Sequence, residues 1–133
     1  MGTASSGSEV EAVFVYGTLK RGERNHPLVR PYLHRVLPGR VEGFRLYHFP
    51  PGGERPYAYP AMVPGEGRVR GEVLFLDPEA LPLLDALEGE EYGRERVRVE
   101  TPEGVVVAWA YLYRADLGEA LPFPGETWEE PFP

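Results

Sequence analysis

A glutamate on an apolar helix face is the first feature of this sequence that could do chemistry. Residues 78–88 predict a helix, and at about 100° per residue one face carries Leu81, Leu84 and Glu88. Burying an unpaired carboxylate is costly, so the pKa of Glu88 should rise toward neutrality. Such a group can accept and return a proton, which is general base and acid chemistry. The alternative is that Glu88 lies where the helix frays and pairs with Arg94.

A glycine turn at the end of an apolar strand is the second feature. Residues 12–16 are rich in β-forming side chains and the run breaks at Gly17, within Tyr-Gly-Thr-Leu-Lys-Arg-Gly. Successive main-chain N–H groups at such a turn can bind an oxyanion or a carboxylate, and Gly17 lets a ligand approach. The alternative is an ordinary turn in which Thr18 bonds its own backbone. The spacing of a Walker phosphate loop is absent.

Other catalytic groups find less support in the sequence. His26, His34 and His48 lack the spacing of metal ligands, so we predict no metal site. Serine occurs only within residues 1–8, which argues against a Ser-His-Asp triad. A glutamate pair, Glu88 with Glu91, could imitate a glycosidase dyad, but neighbours at a helix end seldom face each other across a substrate.

Strand patterns dominate the elements that must position these groups. Alternating or continuous apolar residues predict strands at 12–16 (buried on both faces), 40–49, 59–63, 68–76, 95–100 and 105–114. The last two flank a Pro-Glu-Gly turn and predict a hairpin. Beyond residue 115 the chain is rich in proline, and we expect it to pack through its aromatic side chains.

Two short helices are predicted among these strands. Asn25 favours the start of the first, with Leu28, Val29 and Leu33 facing the core. Asp77 favours the start of the second, which Gly89 ends, and the alternative is a later start near Leu81 because Pro82 lies deep in the segment. Since only one helix could serve as a crossover, a repeated parallel sheet is a poor fit. The pattern indicates an α+β fold with a mixed, mostly antiparallel sheet of barrel-like form.

Composition restricts the partners of this chain. Its 133 residues carry a net charge of -7, which repels nucleic acid and anionic membrane surfaces. The lack of cysteine excludes disulfides and thiolate nucleophiles and suits a cytoplasmic location. We expect a disordered leader at residues 1–10 and a single domain at 11–133. We also expect a monomer or weak homodimer with neither nucleic-acid nor membrane partners.

Five short motifs follow one another in a specific order. They are Phe-Val-Tyr-Gly-Thr-Leu-Lys-Arg-Gly at 14–22, Tyr-Pro-Ala-Met-Val-Pro-Gly at 59–65, Gly-Glu-Val at 71–73, Leu-Asp-Ala-Leu-Glu-Gly at 84–89 and Tyr-Gly-Arg at 92–94. Their order resembles the gamma-glutamylcyclotransferase-like family, also called AIG2-like, over about residues 13 to 128. The resemblance implies a mixed β-barrel flanked by short helices, with a pocket between the Tyr-Gly-Thr-Leu loop and the acid that ends the helix.

The resemblance also implies roles for individual residues. Glu88 matches the catalytic acid and base. The substrate-holding residues would be Tyr16, Gly17, Thr18 and Leu19, with Tyr92 and Arg94 beside the pocket. The implied reaction releases 5-oxoproline from a gamma-glutamylamine or gamma-glutamyl amino acid, by attack of the substrate's own α-amine and without metal or cofactor. The segment 89–91 is shorter than in many relatives, which alters the pocket mouth and leaves substrate choice open.

Two other functions stay open from the sequence. The first is a non-catalytic domain that keeps the pocket for a small carboxylate. The second is a related enzyme that acts on a different acyl or glutamyl-protected metabolite. Assays for 5-oxoproline and product analysis by mass spectrometry separate these possibilities.

Overall fold

The computed structural model describes residues 10–52 and 57–128. The predicted leader covers residues 1–10. Of these, residues 1–9 lie outside the described part of the chain, and Val10 is its first residue. The elements follow in the order β1 (Glu11–Val15), α1 (His26–Val29), a 3-10 turn (Arg30–Tyr32), β2 (Leu33–Phe49), β3 (Tyr59–Leu76), α2 (Ala80–Glu88), β4 (Tyr92–Thr101), β5 (Gly104–Tyr113) and β6 (Leu121–Pro122). Among the described residues, no helix has the length and apolar character needed to cross a membrane.

Five of these strands close into a barrel. β1 lies between β3 and β5, β5 pairs with β4, β4 with β2, and β2 returns to β3. The β1–β5 pairing is parallel and the others around the barrel are antiparallel. The short strand β6 adds to the edge of β2. The predicted α+β class, a mixed and mostly antiparallel barrel flanked by short helices, is confirmed.

The first strand is buried on both faces, as its apolar run predicts. Phe14 belongs to the cluster that fills the barrel, together with Val73 and Val99. Its neighbours Val13 and Val15 belong to a second cluster, which packs beneath the helices. Because side chains alternate along a strand, one short segment supplies both cores. The residues that follow β1 are therefore anchored from two sides.

The strands β2 and β3 are longer than predicted. The predicted segments 59–63 and 68–76 belong to one strand, β3, and the segment 40–49 is the later part of β2. Pro64, Gly65 and Gly67 indicated a break between the two segments, but β3 stays paired with β2 on both sides of this stretch.

An irregularity in the β2–β3 ladder absorbs the proline and glycine residues. Glu42 pairs with Arg68 and Phe44 with Pro64, so three residues of β3 lie opposite the single residue Gly43. Gly43 has a φ of 87°, which costs a glycine little because it has no Cβ. The ladder resumes beyond this bulge, so one long hairpin forms where two separate strands were expected.

The helix α2 begins at Ala80, close to the alternative start near Leu81 and not at Asp77. Its N-cap position is Glu79, without a side-chain capping bond, and the helix spans Ala80–Glu88. Asp77 does not cap it, because the Asp77 carboxylate hydrogen-bonds to Nε2 of His34 at 2.7 Å. The prediction of an Asp77 cap is therefore wrong.

Pro82 and Gly89 fit this later start. Pro82 stands at the third helical position, where an N–H group has no acceptor within the helix, so its missing N–H costs no helical hydrogen bond. Gly89 has a φ of 80°, and its N–H donates to the carbonyl oxygen of Asp85 at 3.1 Å. The prediction that Gly89 ends the helix is confirmed.

The helix α1 is a single turn. Val29 is fully buried, as predicted, whereas Leu28 is 44% exposed. The prediction of a core-facing Leu28 is wrong, since a four-residue helix presents one narrow face to the barrel. Asn25 occupies the predicted cap position, but its side chain makes no capping bond.

The strands β4 and β5 form the predicted hairpin. Their pairing runs from Tyr92 with Tyr113 to Thr101 with Gly104. Along β4, Arg96 and Arg98 are exposed while Val97 is buried, so these two arginines lie on the solvent side of the strand.

The proline-rich tail packs against the barrel through an aromatic side chain, as predicted. Trp128 is fully buried in the cluster that fills the barrel. Its Nε1–H donates to Nδ1 of His48 at 2.9 Å, and its carbonyl oxygen accepts a hydrogen bond from Nζ of Lys20. The sequence did not predict β6, because two residues carry no periodicity.

Candidate active site

The turn after β1 lines a cavity with its residues Tyr16 to Leu19. Its carbonyls are engaged on the other side, because N–H of Asn25 donates to the Thr18 oxygen at 2.8 Å and Nδ1 of His26 lies 2.9 Å from the Leu19 oxygen. Among the described residues, no main-chain carbonyl accepts a hydrogen bond from the N–H groups of Gly17, Thr18 or Leu19. We call residues 16–19 the 16–19 loop. Its free donors suit an oxyanion or a carboxylate.

The side chain of Thr18 is tied to the next element. Nδ2 of Asn25 donates to Oγ1 of Thr18 at 2.9 Å. This contact differs from the ordinary turn considered above, in which Thr18 would bond its own backbone. Asn25 therefore stabilises the 16–19 loop instead of capping α1.

Gly17 is confined by the protein itself. A Cβ atom at this position would lie 2.6 Å from Cγ and 2.9 Å from Cδ of Pro60, closer than real contacts allow. Pro60 lies on β3 and is buried. The glycine is thus required for the loop to pack on β3, in addition to any approach by a ligand.

Glu88 is a carboxylic acid in a desolvated position. It ends α2 beside the fully buried Leu84, and burial raises its pKa from 4.5 to about 7. Within the described part of the chain, no group donates a hydrogen bond to its carboxylate, so the ionised form lacks the usual compensation. A carboxyl group in this condition can exchange a proton near neutral pH.

Three tyrosines near Glu88 direct their hydroxyl groups elsewhere. Tyr16 donates to the carbonyl of Tyr111 at 2.6 Å, and Tyr92 donates to the carbonyl of Pro60 at 2.7 Å. Tyr111 donates to Oδ1 of Asp85 at 2.7 Å. Burial is the main cause that raises the pKa of all three tyrosines, and the Glu88 charge raises each further. They form a neutral wall around the acid.

A cavity of about 260 Å³ joins the acid and the loop. Six of the predicted site residues line it, namely Tyr16, Gly17, Thr18, Leu19, Glu88 and Tyr92. Aromatic and apolar side chains make up much of the remaining wall. The cavity thus has two kinds of polar group. The main-chain N–H groups of the loop suit the carboxylate of a small zwitterionic ligand, and the acid of raised pKa suits its amino group.

The sequence of residues 13–130 matches the family described as Gamma-glutamyl cyclotransferase, AIG2-like. The chain belongs to this family. The resemblance expected from the ordered motifs is therefore confirmed. Among curated members, a gamma-glutamylaminecyclotransferase of Homo sapiens is 40% identical over 96 residues, covering 68% of this chain and 63% of the human protein. The gamma-glutamylcyclotransferase family protein YtfP of Escherichia coli K12 is 36% identical over 105 residues, covering 77% and 81%.

Solved structures of this family share the fold. An AIG2-like protein from Mus musculus superposes with a TM-score of 0.67 at 29% identity, covering 91% of this chain and 89% of the mouse chain. A structure titled gamma-glutamyl cyclotransferase superposes with a TM-score of 0.64 at 25% identity, covering 87% and 73%. The gamma-glutamyl cyclotransferase barrel is thus the architecture that carries the cavity described above.

Arg94 stands apart from the other predicted site residues of this cyclotransferase-family chain. It does not line the cavity; its Nε lies 3.4 Å from Oδ1 of Asp85, and its guanidinium group stacks on the Trp109 ring at 4.6 Å. Together with Tyr111 these residues line a separate recess behind the cavity wall. The alternative in which Arg94 neutralises Glu88 is not what the structure shows.

Several residues that line the cavity were not predicted as site residues from the sequence. They are Asn25, Tyr57, Tyr59, Glu91 and Tyr111. The hairpin register offered one signal, because it pairs Tyr111 with Arg94 of the Tyr-Gly-Arg motif. Tyr57 and Tyr59 reach the cavity from a distant segment, which no local pattern reveals.

The three histidines have structural partners. His26 contacts the Leu19 carbonyl, His34 contacts Asp77, and His48 accepts from Trp128. Within residues 10–52 and 57–128, no three histidine or acidic side chains are grouped as metal ligands would be.

Proposed function

We propose that this protein releases 5-oxoproline from a gamma-glutamylamine or a gamma-glutamyl amino acid. The observation that carries the proposal is the partly buried Glu88, with a pKa raised to about 7, in the same cavity as the donors of the 16–19 loop. The human relative named gamma-glutamylaminecyclotransferase supports the substrate class.

In the proposed complex, the 16–19 loop holds the glutamyl α-carboxylate through main-chain N–H groups. Binding in this way folds the substrate so that its α-nitrogen approaches its own side-chain carbonyl carbon. Because the attack is intramolecular, holding this geometry supplies much of the rate. The tyrosine wall excludes water and keeps Glu88 weakly solvated, which favours proton exchange with the substrate.

Glu88 moves protons between the two substrate nitrogens in this mechanism. Its carboxylate accepts a proton from the α-ammonium group, and the resulting amine forms a bond to the side-chain carbonyl carbon. The tetrahedral species then loses a second proton from the ring nitrogen as the amide C–N bond breaks. Both protons end on the departing nitrogen, so the products are the neutral lactam ring of 5-oxoproline and an ammonium ion.

A panel of gamma-glutamyl amides tests the proposal. We expect 5-oxoproline from at least one of them, with a kcat/KM that rises with pH through about 7 as Glu88 ionises. Glu88→Gln should lower kcat by at least about 100-fold. Glu90→Gln is the matched control, because Glu90 is exposed and follows the helix without lining the cavity.

One outcome favours the non-catalytic alternative. If well-folded wild-type protein releases no 5-oxoproline from any substrate, yet 5-oxoproline or glutamate still raises the melting temperature of both wild type and Glu88→Gln, the cavity binds small carboxylates without turnover. Product analysis of a metabolite extract by mass spectrometry would identify a different acyl substrate.

A further inference from the structure

Asp85 is a charged residue that the proposed mechanism does not use. It lies on α2 one turn before Glu88 and does not line the cavity. One of its oxygens, Oδ1, accepts a hydrogen bond from the Tyr111 hydroxyl at 2.7 Å and lies 3.4 Å from Nε of Arg94. Its carbonyl oxygen accepts from N–H of Gly89 at 3.1 Å. Asp85 thus connects the end of α2 to both strands of the β4–β5 hairpin.

The helix that carries Glu88 has few other means of being held in place. It has nine residues, and helices of this length are marginal in water without tertiary contacts. Its fully buried side chains, Ala80 and Leu84, lie in its first five residues. It has no side-chain N-cap and no basic residue in its last turn. In the final turn, which presents Glu88, Leu87 packs half-buried against the second core cluster, and Asp85 supplies side-chain polar contacts to the barrel.

The partners of Asp85 are themselves fixed to the barrel. Tyr111 is buried on β5, and its carbonyl oxygen accepts a hydrogen bond from the hydroxyl of Tyr16 at 2.6 Å. Arg94 is stacked on the Trp109 ring. Tyr111 therefore contacts the acid-bearing helix through its side chain and the 16–19 loop through its backbone.

We infer that Asp85 is a positioning residue, which holds the last turn of α2 against Tyr111 and Arg94 so that Glu88 faces the 16–19 loop. This inference rests on the proposed function for its kinetic consequence. Asp85 is exposed at the surface, so its ion pair adds little stability by itself. Its effect is on geometry, and a displacement of about 1 Å at a reacting group can cost about 100-fold in rate.

Kinetics on matched variants tests the inference. Asp85→Leu should lower kcat by about 10- to 100-fold while KM changes by less than about 3-fold. Asp85→Asn, which keeps an oxygen for Tyr111, should restore much of the rate. Tyr111→Phe removes the same contact from the other partner, so Asp85→Leu/Tyr111→Phe should be no slower than the slower single variant. Glu95→Gln, which removes the surface pair of Glu95 with Arg114, should leave kcat unchanged.

A substrate-free measurement separates this inference from the proposed reaction. Carbon-13 NMR of glutamate side-chain carboxyls, assigned with Glu88→Gln, reports the titration of Glu88 directly. The titratable residues that line the cavity with Glu88 are Tyr16 of the 16–19 loop, Tyr57, Tyr59 of β3, Glu91 after α2, Tyr92 of β4 and Tyr111 of β5. In Asp85→Leu and in Tyr111→Phe the Glu88 midpoint should fall from about 7 toward 4.5, because a loosened helix end admits water.

The outcomes divide cleanly. A lowered midpoint in folded Asp85→Leu or Tyr111→Phe supports the positioning role even if no substrate is turned over. An unchanged midpoint together with additive losses of kcat overturns it, whatever the reaction is. If Asp85→Leu does not fold, Tyr111→Phe alone decides, since it deletes one oxygen atom.

Discussion

At the scale of single residues, the chemistry of this site comes from a carboxyl group deprived of donors. Tyrosines surround Glu88, yet Tyr16, Tyr92 and Tyr111 each donate to another acceptor, two of them to main-chain carbonyls. A carboxylate without hydrogen bonds in a desolvated cavity loses stability relative to its protonated form. The same arrangement that makes Glu88 basic enough to accept a proton therefore places a cost on the folded state.

Glu88→Gln should stabilise the protein at alkaline pH. The folded-state pKa of about 7 lies above the ordinary value of 4.5, so the folded state binds the proton more tightly than the unfolded state. Stability is therefore lost as pH rises from 4.5 to 7, and the full cost, up to about 3 kcal/mol, is present above pH 7. Urea unfolding at about pH 8 should show this gain for the variant. A gain that persists unchanged at about pH 4 would contradict the assignment.

Gly17→Ala should disturb the 16–19 loop through Pro60. The new methyl group would overlap Cγ and Cδ of the proline ring, which cannot move freely. We expect a loss of about 1–3 kcal/mol in unfolding free energy and weaker substrate binding. Pro60→Ala deletes both clashing atoms, so Gly17→Ala/Pro60→Ala should lose less than the sum of the single variants. Additive losses would show that the loop needs Gly17 for another reason.

At the scale of elements, the tail and the 16–19 loop are connected. Trp128 fills the barrel, and its carbonyl accepts a hydrogen bond from Lys20, the residue directly after the loop. On the other side, Nε1 of Trp128 donates to His48 of β2. The tail thus links β2 to the residue that follows the 16–19 loop.

The contact between His48 and Trp128 should weaken at low pH. Burial lowers the pKa of His48 below 6.5, and the neutral ring is the form whose Nδ1 can accept from Trp128. The stabilisation is present above pH 6.5, and it is lost as the pH falls through the depressed pKa of the folded state. The melting temperature of His48→Asn, whose amide oxygen can accept without titrating, should fall less between about pH 7.5 and 5 than that of wild type. Equal pH dependence would contradict this role.

Elements with strong local patterns were predictable from the sequence. The β1 run and the β4–β5 hairpin follow directly from alternation and turn residues, and Gly89 marks the end of α2. Asp77 has the residue type of a cap, but a distant histidine, His34, binds its carboxylate instead. The long β3 was not predictable, because a bulge opposite Gly43 tolerates prolines and glycines that usually end strands.

The sequence predicted the chemical groups of the candidate site better than the residues that line the rest of the cavity. An acid on an apolar helix face led to Glu88, and a glycine after a buried strand led to the 16–19 loop. Their meeting in one cavity depends on barrel closure, which a local pattern does not contain. Arg94, two residues after Tyr92, lines the adjoining recess and not the cavity itself, so its role as support beside the pocket stays a prediction.

At the scale of the whole molecule, charge opposes an anionic substrate. The chain carries a net charge of -7, and Glu91 adds a carboxylate at the cavity rim. A gamma-glutamyl amino acid carries one net negative charge, whereas a gamma-glutamylamine with an uncharged amine substituent is a neutral zwitterion. For the proposed reaction, we therefore expect the field of the protein to slow the approach of a gamma-glutamyl amino acid more than that of a neutral gamma-glutamylamine.

Ionic strength should reveal which class the enzyme meets. Raising salt from about 10 mM to about 150 mM screens the repulsion, so kcat/KM for a gamma-glutamyl amino acid should rise by about 2-fold, while that for a neutral gamma-glutamylamine stays nearly constant. Glu91→Gln should reduce the salt effect. Assays of 5-oxoproline release at several salt concentrations measure the salt dependence of kcat/KM. An equal response of both substrates would contradict electrostatic discrimination.

The parallel pairing of β1 with β5 has a consequence for how the protein is made. A ribosome releases Glu11–Val15 long before Gly104–Tyr113, yet Val13 finds one of its neighbours at Trp109. During translation, one edge of the earliest strand stays open, and the nascent polypeptide must keep that apolar edge from associating with other chains. This barrel therefore cannot close until Gly104–Tyr113 has left the ribosome.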